Sequence, residues 1–175
     1  MRYGGLHRFV IEGEPGVGKS EMVIQLMVGM GLNKLQLGDT RSKGKRNGFY
    51  HIFASMQPAM QEAILFAAFD EGAIVLIDEI NSMPTLEKLL NSLLDGKHPI
   101  DHNRPPKFPG FRVLGTQNPV SMEGRRMASP ALQNRTQTVY LSPYCAAEMH
   151  QILDQMGGLV RDHQTSVGHC FSHQS

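Results

Sequence analysis

Eight residues near the start of the chain, Gly13-Glu14-Pro15-Gly16-Val17-Gly18-Lys19-Ser20, constrain its fold more than any other feature. They match G-x-x-x-x-G-K-[ST] in full, after a segment that reads as a short strand (His7–Glu12, HRFVIE) and before an apolar, Met-rich segment (Ser20–Met30). Glycines let the backbone turn tightly enough for successive N–H groups to point inward, which makes an anion-binding nest. The N-terminus of a following helix adds a partial positive charge. The pattern therefore predicts strand, loop and helix, with phosphate cradled by Glu14, Pro15, Gly16, Val17, Gly18, Lys19, Ser20 and Glu21. In such a loop Lys19 reaches the β- and γ-phosphates and the Ser20 hydroxyl meets Mg²⁺.

The remaining segments fit an alternation of strands and helices. Leu35–Leu37 and Phe111–Gly115 read as strands, and Gln137–Leu141 as the last one. Gln57–Phe69 is a helix with Pro58 in its first turn and Gly72 past its end. Ala73–Ile77 is a continuous apolar run of strand length, as in a parallel strand buried on both faces. Pro84–Asp95 carries Leu86, Leu89, Leu90, Leu93 and Leu94 at helical spacing, which core packing explains, and Gly96 stops it. Asp39–Gly48 and the proline-rich Lys97–Gly110 are loops; Ser129–Asn134 and Ala146–Met156 are helices. This order implies a parallel α/β sheet of five strands with helices on both faces. Ligands of such sheets bind at the carboxyl ends of the strands, here after Glu12, Ile77, Gly115 and Leu141.

At one of those ends stands Asp78-Glu79. Asp78 is placed to hold Mg²⁺ together with Ser20, as the corresponding Asp does in P-loop nucleoside triphosphatases. Glu79, one residue on, is placed to polarise an attacking water as general base. The plainer alternative is an acidic strand end that caps the helix start at Ser82–Pro84. Asn118, after the next strand, can contact the γ-phosphate or form a simple Asn-Pro turn. A guanine reader of the Asn-Lys-x-Asp type is missing, because Asn33-Lys34-Leu35-Gln36 lacks the Asp.

Composition narrows the class further. A formal net charge of +1 over 175 residues provides no protein-wide field for nucleic acid or membrane. Two cysteines, Cys145 and Cys170, cannot make a disulfide framework and suit a reducing, cytoplasmic compartment. No signal core is expected, and no apolar run approaches the roughly 18 residues of a membrane span. The tail residues His163, His169, Cys170 and His173 have no zinc-site spacing and read as a disordered tail.

Phe111-Arg112-Val113-Leu114-Gly115-Thr116-Gln117-Asn118-Pro119, then Gly124-Arg125-Arg126, then Ser129-Pro130-Ala131-Leu132-Gln133-Asn134-Arg135 complete a series of four motifs in order. The series resembles the AAA+ ATPases of the dynein-related, midasin and MoxR-like group, over about Leu6 to Tyr144. The resemblance implies an ATP- and Mg²⁺-dependent ATPase core over 1–143, with the start of a helical lid and a flexible tail over 144–175. It implies that Asn118 senses the γ-phosphate and that Arg135 is an arginine finger acting on a neighbouring subunit's site, with Arg125 and Arg126 as competitors. It implies a homo-oligomeric ring, a hexamer being one form, that remodels a protein partner. In such rings the region of Arg41–Arg46 with Phe49 and Tyr50 can face the pore and grip polypeptide or nucleic acid; a solvated loop is the alternative. Two other readings stay open, a nucleotide-dependent binding module without turnover and a GTP-using AAA+ domain. Three departures stand out: Thr136 where the group has an aromatic, a lid reduced to one helix with Arg161 the lone arginine after it, and little sequence before the first strand, as in a piece of a longer protein.

Overall fold

A computed structural model of the chain describes residues 8–38, 48–119 and 130–154. The chain divides into two compact units, Met1–Leu141 and Ser142–Ser175. In the first unit the elements run β1 (Arg8–Gly13), α1 (Lys19–Gly29), β2 (Asn33–Lys34), β3 (Gly48–Ile52), α2 (Pro58–Glu71) and β4 (Ile74–Ile77). A 3-10 turn (Ile80–Ser82), α3 (Pro84–Leu94), β5 (Arg112–Gln117), α4 (Pro130–Gln133) and β6 (Gln137–Leu141) follow. The second unit has a helix over 146–154, at whose start Glu148 accepts from the Cys145 N–H at 2.8 Å.

The strands form one parallel sheet in the order β2-β3-β4-β5-β1-β6. Among the described residues it has six strands, not five. The unforeseen one is β3, whose five residues follow directly on the polar loop and are too few to show a period. The second strand is a two-residue pairing at Asn33–Lys34, just before the expected Leu35–Leu37. One consequence corrects the sequence reading: Phe49 and Tyr50, taken as an exposed aromatic partner of the basic loop, are buried in β3 at 0% and 1% exposure. Arg41–Arg46 lie outside the described residues.

Strand alternation sorts the core onto two faces. Val10, Tyr50, Ile52, Val75, Ile77 and Val113 point to one face and pack with Ile64, Leu65, Ala68 and Phe69 of α2 and with the α3 leucines. Ile11, Phe49, Leu76 and Leu114 point to the other, against Val23 and Met27 of α1. Both central strands are covered on each side, which is why Ala73–Ile77 reads as an unbroken apolar run. Helix ends obey local chemistry: Pro58 and Pro84 open α2 and α3, and Gly72 (φ 66°) and Gly96 (φ 75°) turn the chain after them. The loop after α3 is tied back by Arg104, which donates to both carboxylate oxygens of Asp70 on α2 at 2.6 and 2.9 Å.

The leucine stripe of α3 is core as expected, with Leu86, Leu90 and Leu93 at 1%, 0% and 1% exposure. Truncating a fully buried leucine costs its transfer energy plus the cavity left behind. Leu90→Ala is therefore expected to lower unfolding stability by about 3 kcal/mol in urea titrations. A loss below about 1 kcal/mol would show that α3 is not packed as described.

Candidate active site

The parallel sheet brings the ends of β1, β4 and β5 together, and the chemistry-bearing residues emerge there. The loop from Gly13 depends on glycine twice. A Cβ on Gly13 would stand 2.7 Å from the Leu141 carbonyl of β6, and Gly18 (φ 75°) is the N-cap of α1. No side chain caps α1, so its first N–H groups face the loop. A cleft of about 480 Å³ opens here, lined by Pro15, Gly16, Gly18, Lys19, Ser20, Glu21, Ile24, His51, Glu79, Thr116 and Asn118. Of the other two loop residues, Glu14 contributes its carbonyl and Val17 buries its side chain.

Lys19 is buried, and its ammonium donates to Gly13 O (2.8 Å), Glu14 O (2.8 Å) and Asn118 Oδ1 (3.0 Å). Asn118, 4% exposed, uses its other end to donate from Nδ2 to Glu79 Oε1 at 3.1 Å. One amide thus joins the loop lysine to the carboxylate after β4. Its own carbonyl accepts from Asn81 Nδ2 at 3.0 Å, which holds the turn it sits on.

Asp78 and Glu79 do not cap α3, whose N-cap is Met83 and has no side-chain cap bond. Glu79 lines the cleft instead, and Asp78 bonds three residues that line it. Asp78 Oδ2 pairs with His51 Nε2 at 2.7 Å, and Oδ1 accepts from Thr116 Oγ1 at 3.1 Å. Burial alone would raise the Asp78 carboxyl, but hydrogen bonds from His51, Ser20 and Thr116 outweigh it and hold it below the ordinary carboxylate value. An ionised carboxylate bonded to the Ser20 hydroxyl forms a pair of hard oxygen donors, the chemistry that suits Mg²⁺ completed by phosphate and water. These two residues can hold such a cation. Glu79 has left-handed backbone (φ 54°, ψ 49°), rare for a residue with a side chain. Its N–H donates to Thr116 Oγ1 (3.1 Å), and its carbonyl accepts from Ser82 N (2.8 Å) and Oγ (2.7 Å).

Arg135 is not part of this cluster. It precedes β6, while the phosphate loop follows β1; with β1 and β6 parallel and Gly13 opposite Leu141, the two lie at opposite ends of the strands. Arg135 donates from Nε and Nη2 to the two Asp95 carboxylate oxygens, each at 3.1 Å. Beside it, Arg8 bonds Thr136 Oγ1 at 3.0 Å; burial and then the Arg135 charge push Arg8 down to about 10. Arg125, Arg126, Arg161 and the histidine-rich tail lie outside the described residues.

Two polar cleft residues had no role in the sequence reading. Thr116 stood inside a quoted motif, but its bond to Asp78 needs the β4–β5 register (Ile77 opposite Gly115) to be known. His51 was hidden with β3 itself. Among the described residues no helix is long and apolar enough to cross a membrane.

Comparison with known proteins bears on the same stretch. The family model of the AAA domain, dynein-related subfamily, matches residues 8–136. The chain belongs to the dynein-related AAA family. Its module is of the AAA+ ATPase type. Midasin of Giardia intestinalis is 31% identical over 160 residues, and midasin of Dictyostelium discoideum 27% identical over 157. Each alignment takes in 84% of this chain and 3% of the relative, so the chain spans a small fraction of either midasin. Among solved structures, the FIGL-1 AAA domain in complex with ADP superposes with a TM-score of 0.58 at 19% identity, over 87% of this chain and 48% of that one. That likeness shows the AAA+ fold.

Thr116 is 1% exposed and serves Asp78 and Glu79 with one hydroxyl. Valine has the same shape without the oxygen, so Thr116→Val should lose about 1–3 kcal/mol in urea unfolding, with serine restoring most of it. Coincident unfolding curves for the valine variant and the parent would remove Thr116 from this account.

Proposed function

We propose that the chain binds Mg²⁺-ATP in the cleft and hydrolyses it, acting as one subunit of a ring. The observation that carries this reading is the bonded series Lys19–Asn118–Glu79, with Asp78 and Ser20 alongside it, at one edge of a parallel sheet. Loop amides and Lys19 bind the phosphates, and the ammonium exchanges loop carbonyls for phosphate oxygens as they arrive. Ser20 and Asp78 would hold the cation, which when bound would supply positive charge to offset that of the phosphates. Glu79 takes a proton from water as its oxygen attacks the γ-phosphorus; the bond to the β–γ bridging oxygen breaks, and ADP and phosphate leave. Asn118, bonded to both Lys19 and Glu79, would sense whether the γ-phosphate is present.

Arg135 stands at the other end of the strands from its own loop, paired with Asp95; as a finger it would exchange Asp95 for the γ-phosphate of a neighbour's site, which would couple hydrolysis to movement between subunits and remodelling of a protein partner. The helix over 146–154 is read as the start of a lid. A reducing, cytoplasmic setting rests on the two cysteines alone.

Turnover per subunit measured against protein concentration tests this. The specific rate is expected to climb with concentration, and Arg135→Ala to lower the plateau by about 10³-fold with nucleotide binding retained. A flat rate would refute the shared site. Nucleotide binding with no turnover at any concentration would favour the binding-module reading, and competition of GTP against ATP decides the base.

Glu79→Gln keeps the shape but cannot accept the proton. It is expected to bind Mg²⁺-ATP as the parent does and to turn over about 10²–10⁴-fold more slowly. Rapid hydrolysis by this variant, measured as phosphate release, would rule out Glu79 as the base.

A further inference from the structure

His51 lines the cleft without a part in the chemistry above. It stands on β3 opposite Leu76 of β4, two residues before Asp78, with its side chain 11% exposed. Its ring nitrogens face different partners. Nδ1 lies 3.3 Å from Lys34 Nζ on β2, and Nε2 lies 2.7 Å from Asp78 Oδ2. A lysine ammonium can only donate, so Nδ1 is the acceptor and the ring proton sits on Nε2, donating to the carboxylate. Phe53 packs on the ring edge-on at 5.5 Å and limits its rotation.

With Thr116 Oγ1 on Oδ1, one donor now grips each Asp78 oxygen. The carboxylate is fixed in its plane, and each oxygen keeps a further acceptor site for Ser20 and for a water of the cation. We infer that His51, its tautomer set by Lys34, is a positioning residue that presents Asp78 to the divalent cation of a bound nucleotide. This rests on reading the cleft as a Mg²⁺-nucleotide site. Partners of this kind orient metal-binding carboxylates, and removing one costs about 10–100-fold in metal affinity. Lys34 and His51 thereby tie the cation site to the β2 edge of the sheet, away from the phosphate loop.

The test uses Mn²⁺ as a paramagnetic probe, its binding by the full chain with ADP followed by electron paramagnetic resonance. ADP binding in EDTA is measured in parallel. His51→Ala is expected to raise half-saturating Mn²⁺ at least about tenfold, with metal-free ADP affinity within about twofold of the parent. His51→Gln, whose amide N–H reaches as far as Nε2, should recover most of the loss. Lys34→Met, which frees the tautomer, should shift the midpoint by about threefold, less than a direct loss. Superimposable Mn²⁺ curves for His51→Ala and the parent would overturn the inference while leaving the nucleotide site intact. So would an equal fall in metal-free ADP affinity, since that would mark a general structural defect. A parent that binds no ADP would sink both the inference and the reading beneath it. Should His51→Ala fail to fold, Lys34→Met decides: a shifted midpoint supports the assignment and an unchanged one refutes it.

Discussion

A buried ammonium has to find acceptors for its protons, and in this chain that demand organises the site. Lys19 meets it with two carbonyls of its own loop and the side-chain oxygen of Asn118. Because an amide presents an acceptor at one end and donors at the other, satisfying Lys19 orients Asn118 to donate to Glu79. The ends of β1, β4 and β5 are thus joined by polar contacts in a place where unpaired groups would be costly. The core below supplies the rigidity that makes such contacts reproducible. Phe49, Val75, Leu76, Ile77 and Val113 are at 0% exposure, and strands so covered cannot shift register without exposing them.

Much of this was legible in the sequence because it was written in residues with strong local meaning. Gly16, Gly18 and Lys19 belong to a spacing that few other structures require, and Pro58, Gly72, Pro84 and Gly96 mark helix ends by backbone stereochemistry alone. The Ala73–Ile77 strand and the α3 leucines declare themselves by period. What stayed hidden depended on pairing between distant segments. Gly48–Ile52 is as buried as any strand, yet five residues containing a histidine and two aromatics look like the tail of a basic loop until β4 is seen beside them. His51 and Thr116 followed from that same gap, since their roles exist only across strand neighbours.

Arg135 illustrates a different limit. Its motif resembled a finger, but a sequence cannot tell whether an arginine serves its own chain or another. The fold places it beyond reach of its own phosphate loop, bonded to Asp95 at the end of α3 and beside the buried Arg8. Two arginines so close raise each other's energy, and Asp95 offsets part of that repulsion. The strand edge opposite the cleft therefore has its own electrostatic balance, sensitive to any negative group brought near it.

Glu79 adopts a backbone conformation that glycine enters freely and asparagine tolerates, whereas a longer side chain there costs about 1–2 kcal/mol. Folding and chemistry thus ask for different residues at position 79. In a library randomised at that codon and sorted only for thermal resistance, glycine and asparagine would be enriched at the expense of the parental glutamate. Consensus-style stabilisation of this domain would therefore tend to remove the carboxylate on which its proposed activity depends, and a hardened variant chosen by melting temperature alone would be a scaffold, not an enzyme.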